Sequence, residues 1–145
     1  MADSPRIAVI RGDGIGADVT DATLGIAEAA LAGIGAPAPA YDDIDAGAAF
    51  FAETGSDIEP DGETRAGAAD AIFLGAIGLP WIRHADGTEI SPHLRLRDRF
   101  QLYAGVRPVR AYPNAPQRLA DPRAATLDMV ICLLYTSDAA DELSS

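Results

Sequence analysis

The chain has 145 residues, a formal net charge of −11, 48% hydrophobic and 23% charged residues, and one cysteine, Cys132. That length and composition suit one ordinary globular domain with a real core and exclude global disorder. The acidic balance argues against a nucleic-acid binder and against an anionic membrane surface as partner, and a single cysteine excludes an internal disulfide. Neither a leader peptide nor a membrane-span pattern is present in the sequence, so a soluble cytoplasmic protein is expected. Lysine is absent: all 11 basic residues are Arg, and eight of them lie between Arg83 and Arg123.

In chain order, Arg6–Arg11 centres on Ile7, Ala8, Val9 and Ile10, an apolar run suited to a buried parallel strand. Gly12-Asp13-Gly14-Ile15-Gly16 follows. Val19, Thr23, Ile26, Ala27, Ala30 and Leu31 then recur at steps of three and four, which predicts an amphipathic helix over 17–32, ended by Gly33 and Gly35. The glycine spacing is G-x-G-x-G rather than the dinucleotide fingerprint G-x-G-x-x-G, and Asp13 is a poor neighbour for a pyrophosphate. A tight strand-to-helix turn needing positive φ is the better reading.

Residues 38–45 suit a second strand. Asp42, Asp43 and Asp45 cluster there without a His or Cys to complete a ligand set, and are read as a solvated acidic loop. A short helix is expected over 46–53, closed by Thr54-Gly55, and another from Pro60 to about Ala69. Residues 70–77, D-A-I-F-L-G-A-I, read as a second buried strand. Gly75 and Gly78 bound its end, where ligands of α/β sheets bind. Residues 81–89 read as a loop, with His84 a surface residue.

Ser91-Pro92 is a helix start, with Ser at the cap and Pro in the first turn. Leu96 and Phe100 mark the apolar face. Arg95 and Arg99 fall on an outer, solvated face, and Arg97 nearer the boundary. A strand over 102–109 would put Tyr103, Gly105, Arg107 and Val109 on one face, with Pro108 marking an edge or the end of pairing. A Pro-rich loop over 112–122 and a strand from Thr126 to Ile131 complete the pattern. Guanidinium groups concentrated in an acidic chain suggest an anion site, because the Arg fork matches a carboxylate or phosphate in two parallel hydrogen bonds.

Three motifs in order carry a resemblance: R-I-A-V-I-R-G-D-G-I-G, D-A-I-F-L-G-A-I-G, and L-R-x-x-x-x-L-Y-A-x-x-R-P-V. Over about Arg6 to Ile131 the chain resembles the β-decarboxylating dehydrogenases, the family of isocitrate, 3-isopropylmalate, homoisocitrate and tartrate/D-malate dehydrogenases. The resemblance implies an α/β, isopropylmalate dehydrogenase-like sheet with flanking helices that is not a Rossmann fold, incomplete because the C-terminal part is missing. It implies NAD(P) and Mg2+ or Mn2+ as cofactors, and oxidation and decarboxylation of a malate-like 2-hydroxy acid. By position, Arg97 and Arg107 match two of the family's substrate arginines, and Gly75, Ala76, Ile77 and Gly78 match a segment near the cofactor. The family's catalytic Tyr and Lys and its metal-binding aspartates would lie beyond Ile131, so no catalytic or metal residue is assigned. A homodimer is implied for the full-length parent, with a small carboxylic acid as substrate.

Substrate choice in the family is written near the start of the arginine helix, here Ser91-Pro92-His93-Leu94. Ser91 fits the isocitrate pattern, yet also fits a plain helix cap. His93 stands where an isopropylmalate enzyme would carry Leu. A small polar 2-hydroxy acid of the tartrate or malate kind is therefore expected. Residues 1–131 are read as the N-terminal portion of the family domain. Residues 132–145 are read as an artefactual tail, because Cys132–Glu142 resembles a translated transposon-end adapter; a genuine divergent terminus is the alternative. The chain alone is expected to be inactive and unstable, with unpaired sheet edges. The other functional class is a non-catalytic anion-binding or interaction module using Arg97 and Arg107.

Overall fold

The computed structural model describes residues 4–134, in which the apolar run near the N-terminus becomes the central strand, β1 (Arg6–Ile10). β1 lies between two parallel neighbours, β2 (Ala40–Asp43) and β3 (Ala71–Leu74), in the order β2-β1-β3. Ala8 faces Asp42 on one side and Ile72 on the other, and Val9 faces Asp43 and Phe73. Ala8, Val9 and Ile10 are each 0% exposed, the burial that a continuous apolar strand requires. The charges sit on β2 instead, where its open side meets water.

The residues divide into two compact units, Met1–Phe100 and Gln101–Ser145. In the first, helices α1 (Ile15–Gly33), α2 (Ala48–Thr54), α3 (Gly62–Ala68) and α4 (Pro92–Arg99) accompany the parallel sheet. Its core joins Ala8 and Ile10 to Ile44, Ile58, Ala66 and Leu96, with Ile72, Ile77 and Phe100 packed against it. In the second, β4 (Ala104–Arg110) and β5 (Asp128–Leu134) form an antiparallel ribbon, with a short 3-10 turn (Pro122–Thr126) before β5. The side chain of Asp121 caps that turn by accepting from the N–H of Arg123 at 2.9 Å.

The departures from the sequence reading have local causes. Pro60 lies two residues before α3, whose N-cap is Asp61 at φ 63°. β3 ends at Leu74 rather than Ile77, because the glycine segment after it turns away to dock on the loop after β1. Pro108 lies inside the β4 ladder, opposite Val130, rather than at its end. A two-stranded ribbon has only edge strands, where a residue without an N–H is tolerated. Asp42 and Asp43 belong to β2 rather than to a loop, and both are ion-paired: Arg65 holds the half-buried Asp42, and Arg11 holds Asp43, which stays exposed to solvent as expected. The hydrogen bond that Arg65 donates holds the Asp42 carboxyl below the usual carboxylate range, and those that Arg11 donates to Asp21 and Asp43 raise its own guanidinium pKa.

The expected apolar face of α1 is only partly the packed one. Gly16 and Thr20 are its buried residues, with Ala17, Leu24, Ala27 and Leu31 half-buried beside them. Val19 and Ile26, counted in the predicted stripe, are 54% and 72% exposed. The helix carries two apolar stripes, and small residues at 16, 17 and 20 let the narrower one approach the sheet. Cys132–Leu134, the first part of the expected tail, continue β5 opposite Ala104–Val106, and the rest of that tail lies outside the described residues.

Candidate functional site

Two glycine segments meet at the carboxyl ends of β1 and β3. Gly12 (φ +76°) and Gly14 (φ +54°) give the turn the positive φ that the sequence reading asks of it. A Cβ on Gly12 would lie 2.0 Å from the carbonyl oxygen of Ala76, and one on Gly75 would lie 2.1 Å from that of Arg11. The backbones pack too closely for a side chain at either position. The N–H of Asp13 donates to the carbonyl of Ala76 at 2.7 Å, joining the loops directly. The glycines of G-D-G-I-G thus serve backbone-to-backbone docking with Gly75–Gly78, which explains why their spacing differs from a pyrophosphate cradle.

Asp13, only 4% exposed, is the polar residue of this junction. Its carboxylate accepts from the N–H groups of Ala48, Ala49 and Gly78, each at 2.8 Å. The first two open α2, so a carboxylate from another element caps that helix where its positive dipole end favours an anion. Gly47 must be Gly, because a Cβ there would lie 2.6 Å from the Asp13 carboxylate. Sequence reasoning weighed Asp13 only against phosphate and missed this role. The signal was an acidic residue between two turn glycines, since a buried carboxylate needs several donors.

Beyond Asp13, Gly75–Gly78 presents an open outer side. Ala76 and Gly78 are exposed, and Gly78, at φ +116°, has open space where a Cβ would stand. A ligand can therefore approach its backbone closely. A cavity of about 160 Å3 lies between Ile77–Pro80 and Glu89–Ile90, and Ile90 leads directly into Ser91 and α4. The candidate cofactor segment and Ile90, the residue before Ser91, thus border one space. The intervening loop is more ordered than its aperiodic sequence suggested. Arg83 bonds the carbonyls of Pro80 and Gly87 and the carboxylate of Glu89, and His84 meets the Phe51 ring edge-on at 4.9 Å.

α4 is held by its apolar side: Pro92 and Leu96 are buried, and Phe100 lies where a Cβ on Gly67 would come within 2.9 Å of its ring. Ser91 occupies the N-cap position, but its side chain makes no capping hydrogen bond, so a plain cap does not explain it. Arg95 is not a solvated bystander. It pairs with Asp57 at 2.8 Å and with Glu63, tying α4 to α3, while Arg99 stands 3.8 Å from Glu63.

Arg97 and His93 are four apart, on one helix face, and both are half-buried. Burial, and then the Arg97 charge, lower the His93 pKa, with Glu89 opposing. The imidazole is therefore neutral at pH 7. Its Nδ1 is buried with no hydrogen-bond partner. Arg107, in the second unit, is exposed on β4 opposite Ile131. Ser91, His93 and Arg97 thus belong to the first unit with Gly75–Gly78, and Arg107 to the second. Among the described residues no three His, Cys, Asp or Glu side chains converge as they would around a metal ion.

Comparison with known proteins agrees with this geometry. The 3-isopropylmalate dehydrogenase of Bifidobacterium longum is 37% identical over 131 residues, which are 90% of this chain and 37% of that protein. The tartrate dehydrogenase/decarboxylase of Pseudomonas putida is 30% identical over 138 residues, 90% of this chain and 36% of that protein. The apo crystal structure of a beta-decarboxylating dehydrogenase from Thermococcus kodakarensis superposes with a TM-score of 0.67 at 27% identity, covering 92% of this chain and 34% of that one. The chain thus spans little more than a third of these relatives. The family model described as isocitrate/isopropylmalate dehydrogenase matches residues 6–139, and the chain belongs to that family.

Proposed function

We propose that this chain is the N-terminal part of an NAD(P)- and divalent-metal-dependent dehydrogenase that oxidises and decarboxylates a small polar 2-hydroxy acid of the tartrate or malate kind. The observation that carries the reading is the half-buried His93 beside Arg97 on one face of α4, its Nδ1 without a hydrogen-bond partner. A neutral imidazole with an unpaired Nδ1 is a poor floor for an isopropyl group. It is a good partner for a hydroxyl, which can both donate and accept.

Arg97 and Arg107 bind the substrate carboxylates, each through the parallel N–H pair of its guanidinium. Ser91 and His93 read the substituent that distinguishes one 2-hydroxy acid from another. The exposed backbone of Gly75, Ala76, Ile77 and Gly78 bears on the cofactor, whose nicotinamide when bound accepts a hydride from the hydroxyl carbon. Mg2+ or Mn2+ is held by residues outside those described, and the whole protein works as a cytoplasmic homodimer. No helix among the described residues is long and apolar enough to cross a membrane.

The test is steady-state turnover by the complete gene product with NAD or NADP and Mg2+ or Mn2+. Tartrate or malate is expected to give the highest kcat/KM. His93→Leu is expected to lower that value and raise activity on isopropylmalate, and unchanged selectivity would contradict the role of His93. A second reading, isopropylmalate as the natural substrate, is favoured by the 37% identity to the Bifidobacterium longum enzyme. The same assay separates the two.

A further inference from the structure

We propose that Asp13 is a positioning residue for the cofactor segment: its buried carboxylate ties the backbone of Gly78 to the amino end of α2 and so fixes the shape of Gly75–Gly78. The inference rests on the reading of that segment as cofactor-binding, but its geometry is independent of it. The carboxylate lies among three backbone donors from two separate stretches, Ala48 and Ala49 on one side and Gly78 on the other. Gly78 is at φ +116° with nothing within 4 Å of where a Cβ would stand, so no side chain of its own could anchor it there. Toward β3 the segment is held by the Ala76 carbonyl on the Asp13 N–H and by the Gly75 N–H on the Ile10 carbonyl, both at 2.7 Å. The Asp13 carboxylate is the hold that reaches Gly78. One residue thus grips the segment through its main chain at Ala76 and through its side chain at Gly78.

Charge is part of the device. A carboxylate accepts at both oxygens, and here Oδ2 takes Ala48 and Gly78 while Oδ1 takes Ala49. Asparagine keeps one good acceptor and puts an NH2 where the other oxygen stood. That group faces an N–H, donor against donor, so at least one of the bonds is lost. With its oxygen at the Oδ2 position the amide keeps Ala48 and Gly78 and loses Ala49, and turned the other way it loses Ala48 and Gly78, so only removal of both oxygens, in Asp13→Ala, frees Gly78 in either case.

The test is amide hydrogen exchange of the complete gene product, read by mass spectrometry at low micromolar concentration, with NADH binding followed by the rise in NADH fluorescence. In the wild type, the amides of Ala48, Ala49 and Gly78 should be protected together. Gly78 exchanging as fast as an unstructured peptide would overturn the proposal without any variant. In Asp13→Ala, which removes both acceptor oxygens, exchange at Gly78 should rise about tenfold or more while Ala8–Ile10 stay protected. Unchanged exchange at Gly78 would overturn the tether. NADH binding should be seen in the wild type, with weaker binding in Asp13→Ala. If the wild type does not bind NADH while Gly78 is protected, the cofactor reading fails and the tether stands. If both proteins bind equally while Gly78 is loosened, the tether is real but does not position the cofactor, and the proposal fails.

Discussion

A single imidazole carries the clearest pH signature in the molecule. His93 titrates below the ordinary histidine value because burial, and then Arg97, disfavour its charged form. The unfolded chain therefore binds the proton more readily than the folded one between the two values. Stability from this group is fully present above about pH 6.5 and is lost as pH falls through the lower folded value. Proton NMR should show the His93 midpoint below that of a model peptide, and His93→Gln should flatten the acid side of the stability curve. A midpoint at or above the model value would contradict the burial described here. The glycines give an opposed pair at the same scale. Gly12→Ala adds a Cβ 2.0 Å from the Ala76 carbonyl at φ +76° and should cost about 3 kcal/mol or more. Gly25→Ala, in α1 with nothing within 4 Å, should stabilise by about 0.5–1 kcal/mol. Chemical denaturation of both variants checks the signs, and a shared sign would contradict the packing at Gly12.

At the scale of elements, most of the secondary structure was legible because local pattern and tertiary environment agree. The apolar run of β1 is the buried central strand, and Ser91-Pro92 opens α4 as its composition suggests. The end of β3 was not legible, since Gly75–Pro80 leave the sheet for contacts with Arg11 and Asp13, more than sixty residues back. Asp13 shows the same limit within the site. Its partners stand 35, 36 and 65 positions away, and no local spacing encodes them. The arginines of α4 were legible in type but not in role: helical spacing put Arg97 nearer the apolar boundary and the family resemblance matched it to a substrate arginine, whereas the pairing of Arg95 with Asp57 and Glu63 needed the fold. What seats α4 is Leu96, at 4% exposure in the core. Leu96→Ala should cost about 2–5 kcal/mol and loosen α4, lowering the urea midpoint. A loss below about 1 kcal/mol would show that α4 is held mainly by its ion pairs.

Over the whole molecule, apolar surface is the dominant fact. Ile15 and Ile26 on α1 are 70% and 72% exposed, and Val106 and Val130 on the β4–β5 ribbon are 65% and 59% exposed. The ribbon is all edge, a template for pairing with other chains. The purified 145-residue chain should therefore self-associate as its concentration rises, which light scattering after size exclusion would show. A monodisperse monomer with one cooperative unfolding transition at high concentration would contradict that expectation. The relatives are about two and a half times as long as this chain, and the activity proposed here belongs to a molecule of that length.

The most direct test of the proposed clamp is the carboxylate-dependent turnover of the complete gene product with Arg97→Lys and Arg107→Lys. Lysine keeps the charge but loses the fork, so each should lower kcat/KM for tartrate or malate by about 30-fold, ~2 kcal/mol, with the fold intact. Turnover within about twofold of the wild type in both variants would contradict the assignment of these two residues as the substrate clamp.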